Sequence, residues 1–226
     1  MRFFRDVWVI ALKDLRAEVR TKEAVNGSLA FALVILLIFS FAFDAQEDTT
    51  REISGGLLWI AFAFAGTLIL NRSFAREIPN DCLDALIASP VSGAALFLGK
   101  AIANYVLLLG MELVSLPVFS VFYNVRWMGQ YGWLALVFLL GTWAITVIGT
   151  MTSALTVNIR LREVMLPMLT YPILVPALLG AMQLSMQLMA GNPIGPENES
   201  WLKMLIGFDV IYTAVSLVLV ETVLVG

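Results

Sequence analysis

The sequence predicts an all-α polytopic membrane protein with six transmembrane helices, and three observations carry that prediction. Of its 226 residues 60% are hydrophobic and 14% charged. Soluble domains carry roughly 25% charged residues, so this much apolar surface exceeds what one core can hide. Six stretches are long and apolar enough to cross a bilayer core of about 30 Å, which takes around 20 residues per helix. Their apolar runs are continuous rather than alternating, which argues against the strands of a barrel.

The first element is amphipathic. In "FRDVWVIALKDLRAEVRTK" (4–22) Phe4, Trp8, Leu12, Leu15 and Val19 recur at helical spacing, while Lys13, Arg16 and Arg20 share another face beside Asp14 and Glu18. A basic amphipathic helix with Trp on its apolar side lies in the membrane interface. Two roles stay open for it: an anchor that orients the first span, or an elbow that also touches a cytoplasmic partner. The spans follow at 24–43, 53–71, 94–123, 131–157, 164–190 and 202–225, all within one unit covering 1–226. A cleaved leader is not expected, since the charged lead-in is long and "FAFDA" (41–45) puts bulky Phe where a signal peptidase needs small residues.

Cationic residues set the orientation. With both termini inside, the inner segments hold Arg2, Arg5, Lys13, Arg16, Arg20, Lys22, Arg72, Arg76, Lys100, Arg160 and Arg162, and the outer ones only Arg51, Arg126 and Lys203. The loops "DAQEDTTRE" (44–52) and "GNPIGPENES" (191–200) are then external, acidic or turn-rich.

Between spans two and three lies the polar segment 76–92. Pro79 ends the preceding helix, and Asn80 or Asp81 can cap a new one by accepting its free N–H groups. Cys82, Leu83, Leu86 and Ile87 form one apolar face, Asp81 and Asp84 point away, and Ser89-Pro90 closes the helix after about two turns. The segment is expected to be a short amphipathic helix presented to the cytoplasm. The stretch from Gly93 to Lys100 nearly spells a phosphate-binding loop, but five residues separate Gly93 from Gly99-Lys100 where four are required. Ala101 also stands where a Mg²⁺-binding Ser or Thr is needed, and the intervening residues are helical. ATP binding by this chain is rejected.

Several other chemistries are excluded by composition. With no His and a single Cys, this chain alone cannot supply a His-ligated metal or haem, a Ser-His-Asp triad or an internal disulfide. No Lys/Arg run is dense enough for nucleic acid. Met182, Met186 and Met189 sit at helical spacing in an apolar run and read as packing residues. A membrane enzyme is disfavoured, since Asp81 and Asp84 near the inner face have no third partner.

Within the spans, Glu112 must face protein or water, as a pathway residue or as a structural contact to a neighbouring helix. Asp209 lies in the outer part of span six and is expected to approach the interface; Glu221 lies near the inner end. Pro167, Pro172 and Pro176 interrupt the hydrogen bonding of span five, giving either a hinge that moves or a fixed kink.

An acidic residue, the "LDALIASPVS" helix (83–92) and "LFLGK" (96–100) opening the next span resemble the cytoplasmic segment of the ABC-2 class of ABC-transporter permeases. Within that class, "KDLRAEVRTKE" (13–23), "GLLWIAFAFAGTLILNRSFARE" (56–77) and "LPMLTYPILVPALLGA" (166–181) are similar to the permease of the cytochrome c maturation system, the haem exporter protein B family. Many members of the wider class carry Gly-Thr-Leu-Glu where this chain has Asp81-Cys82-Leu83-Asp84.

The resemblance implies a non-catalytic permease subunit of a bacterial inner-membrane complex. ATP would bind a separate cytoplasmic ATPase subunit, received through Glu77, Asn80, Asp81, Cys82, Leu83, Leu86 and Ile87. It further implies a second copy of this chain, a haem-handling membrane protein, a small membrane subunit and a periplasmic haem chaperone. Haem enters as substrate rather than as a cofactor of this chain. ATP hydrolysis would drive either haem export or release of the haem-loaded chaperone. An ABC-2 permease for a lipid, polysaccharide or drug is the alternative.

Overall fold

In hydrocarbon every backbone N–H and C=O must find a partner within the chain, so continuous apolar runs resolve as helices. The structure, a computed structural model, describes all residues except 1, 44–47, 79–81, 83–85, 87–89, 126–128, 158 and 226, and no side chain within 48–52 or 224–225. Among the described residues the elements are helices: α1 (Arg2–Thr21), α2 (Glu23–Ala42), α3 (Asp48–Ala75), α4 (Gly93–Phe122), α5 (Tyr131–Thr156), α6 (Arg162–Met189) and α7 (Glu199–Val225). Six of them, α2 to α7, are long and apolar enough to cross a membrane.

Helix α3 is longer than the span read from the sequence. Asp48 to Glu52, read as part of an external loop, already belong to α3, which also continues four residues past the expected end at Asn71. Hydropathy marks where a helix enters hydrocarbon, whereas backbone hydrogen bonding continues through the polar turns beyond it.

Burial decides which helices are central. The most apolar windows of α3 and α5 are each 72% buried, against 22–33% for the other four spans, so α3 and α5 form the spine and the others keep a broad lipid-facing side. Trp59 on α3 stacks on Phe138 of α5 with ring centroids 5.5 Å apart, and Phe62 joins them. The approach depends on a missing side chain: a Cβ at Gly141 would stand 2.2 Å from the Trp59 ring. Polar bonds tie the remaining pairs. Trp59 Nε1 donates to Ser185 Oγ on α6 at 2.9 Å, the Ser28 hydroxyl on α2 donates to the Ala65 carbonyl at 2.7 Å, and Trp143 Nε1 on α5 donates to Thr213 Oγ1 on α7 at 3.0 Å. Each such bond is worth about 0.6 kcal/mol on average inside a membrane.

Helix α1 buries a face that its hydropathy did not reveal. Val7, Ile10, Ala11 and Glu18 are buried, while Phe4, Trp8 and Val19 of the apolar stripe are 78%, 59% and 65% exposed. The buried face packs on the start of α4, where a Cβ at Gly99 would meet Ile10 Cβ at 2.7 Å and the Val7 carbonyl oxygen at 2.9 Å. Gly99 is what lets α1 lie this close. The stripe left outside is free to meet lipid, so one helix serves both surfaces.

Candidate functional site

Two polar constellations interrupt the apolar bundle. The first lies at the end where α1, the close of α3 and the start of α4 meet. Lys100, about two turns into α4, is fully buried, and its three ammonium hydrogens all have acceptors. Nζ donates to the Ser73 carbonyl at 2.7 Å, to Glu77 Oε1 at 3.1 Å and to Asp14 Oδ2 at 3.1 Å, and it sits 5.0 Å from the centroid of the Phe74 ring. Lys13 of α1 donates to the same Glu77 oxygen. Glu77 thus joins α1 and α4 to the chain just past α3, inside the polar segment and two residues before Pro79.

Beside this cluster Glu18 performs a second bridging task. Its Oε1 accepts the Ala24 and Val25 amides at 2.9 Å each, capping α2 across a turn in which Lys22 adopts a left-handed φ of 54°. Its Oε2 accepts from Arg76. A carboxylate at the first turn of a helix is favoured by the exposed N–H groups and the positive end of the dipole. The α1–α2 elbow is therefore fastened to the end of α3.

Burial opposes the charge on Glu77, but Lys100 and Lys13 outweigh it and hold the carboxyl below its ordinary value. Burial likewise opposes the charge on Lys13, and Glu77 with Asp14 reverses that and raises its value. The stabilising contribution of Glu77 is then fully present above its unfolded-state value and is lost as pH falls through the lower folded-state one. That of Lys13 is present below its ordinary value and lost only as pH rises through a still higher one. We expect the melting temperature in detergent to fall on acidification through the carboxylate range and to stay level from neutral to mildly alkaline pH. Glu77→Gln should flatten the acid limb; an acid limb unchanged by that substitution would assign the loss to other carboxyls.

Of the coupling-segment residues, Asn80, Asp81, Leu83 and Ile87 lie outside the described residues. Cys82 and Leu86 are helical, Cys82 exposed and Leu86 half-buried. Leu86 packs on a cluster of Ile10, Phe74, Leu96, Ala154 and Val157, so it faces the bundle and attaches the segment to α1, α3, α4 and α5. Glu77 is also turned inward, 9% exposed.

The second constellation is in the membrane. Glu112 is 1% exposed; Thr142 Oγ1 of α5 donates to its Oε2 at 2.7 Å, and its Oε1 has no partner among the described residues. The side chain borders a cavity of about 720 Å³ between α4 and α5, lined otherwise by apolar groups such as Leu116, Pro117 and Phe138, with Ser120 and Tyr131 at one end. The contact to Thr142 is what the structural reading of Glu112 asks for and the cavity is what the pathway reading asks for, so both stay open. Asp209 of α7 is 6% exposed and neither carboxylate oxygen has a partner among the described residues, so its side chain is turned into the bundle.

Helix α6 continues from Arg162 to Met189 through Pro167, Pro172 and Pro176. Without their N–H groups the carbonyls of Glu163, Met168 and Pro172 lose their helical donors. A further proline, Pro117, lies inside α4 at the cavity. Among the described residues no three His, Cys, Asp or Glu side chains come together as a metal site.

Sequence reasoning missed Lys13, Asp14, Glu18, Arg76 and Lys100 as a connected set. The available signal was Lys100 itself, a cation well inside a 30-residue helix that needs an acid from elsewhere.

The family model described as CcmB protein matches residues 5–222. The chain is 33% identical over 168 residues to Heme exporter protein B of Rhodobacter capsulatus, covering 74% of this chain and 76% of that relative. It is 30% identical over 171 residues to the protein of the same name from Paracoccus denitrificans, covering 75% and 78%. The Pseudomonas aeruginosa protein of that name is 31% identical over 172 residues, covering 74% and 76%.

Proposed function

The chain belongs to the CcmB family, and from that premise we propose that it is the membrane subunit of an ATP-driven complex of haem export in cytochrome c maturation. The ATPase is a separate cytoplasmic subunit, and both termini of this chain lie on its side of the bacterial inner membrane. A haem-handling membrane protein, a small membrane subunit and a periplasmic haem chaperone complete the partners, and a second membrane half faces this one.

One observation carries the coupling role. Glu77, at the start of the polar segment, is held by Lys13 of α1 and Lys100 of α4. A partner that presses on residues 79–89 therefore pulls on a buried ionic joint rather than on a slack loop. Leu86 adds an apolar attachment to the same helices. Displacement of the segment is passed to α3 and α4 together, and α4 carries Glu112 to the cavity. Haem, a largely apolar amphiphile, suits a membrane cavity bearing one carboxylate; release of a haem-loaded chaperone would use the same movement with no haem in the cavity.

Cys82 provides the test. It is the chain's single cysteine and is exposed, so a photo-crosslinker attached there in the intact membrane complex reports what lies against the segment. The ATPase subunit is the expected product, lost when Leu83 and Leu86 are changed to Glu. Capture of lipid alone, or an ATPase that co-purifies equally well with the double variant, would sink the coupling assignment.

A further inference from the structure

A cavity of about 330 Å³ opens where α1, α2, α3 and α6 come together, and three guanidinium groups line it: Arg72 from α3, Arg76 just past its end and Arg162 from α6. Two acids face them. Glu23 holds Arg72 at 2.7 Å and Glu18 holds Arg76, which fixes both guanidinium groups in place. Arg162 pairs with no acid among the described residues, and Arg20 and Lys22 lie exposed at the adjoining elbow. The cavity is therefore basic in balance, with Thr21 as a further donor at its wall.

What lies on the membrane side of those arginines is apolar and open. One and two helical steps back from Arg72 stand Leu68 and Phe64, 38% and 45% exposed; along the same face of α6 from Arg162 stands Leu169, 39% exposed. α3 and α6 pack side by side, and Phe64 contacts Tyr171 of α6 with ring centroids 4.9 Å apart. The eight residues between Arg72 and Phe64 span about 12 Å of helix. A cationic rim above an apolar strip of that length matches an amphiphile with an anionic head and a chain, rather than a free anion or the acidic surface of a soluble protein.

We propose that Arg72, Arg76 and Arg162 bind the phosphate of an anionic phospholipid whose acyl chain lies along Leu68 and Phe64. Guanidinium groups hold phosphate oxygens in pairs, and in the orientation proposed above the cytoplasmic leaflet supplies anionic lipid at this end of the bundle. The lipid would rest against the elbow and the end of α3, beside the ionic joint. The site stands apart from the coupling role, because it can be read without nucleotide and without the ATPase.

The test uses the full chain with its partner subunits in phosphatidylcholine nanodiscs with and without phosphatidylglycerol, followed by native mass spectrometry of retained lipid. Phosphatidylglycerol should stay bound in preference to phosphatidylcholine. Arg162→Gln should lower its retention about fivefold, the worth of one basic residue at an anionic surface, and Arg162→Lys should restore most of it. Leu68→Gln should weaken lipid retention while every guanidinium remains, and inorganic phosphate should not displace the lipid. Equal retention by the wild-type chain and Arg162→Gln overturns the proposal. So does displacement by inorganic phosphate, which would make this a free-anion site. Loss of the ATPase subunit from Arg162→Gln with lipid retention unchanged would reassign the arginines to protein docking.

Discussion

Lys100→Met is expected to destabilise the chain by about 3–5 kcal/mol, the usual cost of removing one partner from a buried ionic group. The ammonium is fully buried and serves three acceptors, so its loss strips Asp14 and Glu77 of a donor where water does not replace it. Lys13 still reaches Glu77, but its side chain is 45% exposed and it cannot also fill the place beneath Ser73. The expected result is a chain that inserts but loses α1 from α4, read as a lower melting temperature and protease cleavage between α1 and α2. The double variant Lys100→Met with Glu77→Gln should recover part of the loss, because the second change removes the stranded charge. A double variant no more stable than the single one would show that the cluster does not act as a unit.

The second large effect is expected at Glu112. Gln matches Glu in shape and keeps an oxygen for Thr142, whereas Leu removes the acceptor altogether. Glu112→Gln should fold and assemble with an unchanged melting temperature, and cytochrome c maturation should fall by at least about tenfold if the carboxylate meets what enters the cavity. Glu112→Leu should lose maturation as well and shift the helix contact, leaving the Thr142 hydroxyl without its buried partner, a cost of about 1–3 kcal/mol. Full maturation by the Gln variant would leave Glu112 only the role of tying α4 to α5.

The two constellations differ in how far the sequence revealed them. Glu112 was visible because a carboxylate in an apolar run is conspicuous, and its burial follows from the cost of facing lipid. Its partner was not visible: Thr142 lies thirty residues away, and many hydroxyls in α5 would have served as well. Asp209 was conspicuous for the same reason, but its turn into the bundle was not legible, since position along a helix does not specify rotation about its axis. The ionic joint was less legible still. Lys13 and Asp14 looked like the wet face of an interfacial helix, and Glu77 like part of a segment offered outward. Docking α1 on α4 turned Asp14 and Glu77 inward and set the half-exposed Lys13 against Glu77, and that docking rests on Gly99, whose small size has no hydropathic signature.

By itself the sequence determined that this is a membrane protein of six spans, and the family to which it belongs. Those conclusions rest on local quantities: apolar length against bilayer thickness, and short runs of residues. Tertiary structure alone decided which helices form the spine, that Glu77 clasps Lys13 and Lys100, that Glu18 caps α2, and that three arginines share one cavity. Such pairings join residues dozens of positions apart, and a chain in lipid selects them by close packing and by satisfying buried polar groups. Neither criterion can be evaluated until the helices are side by side.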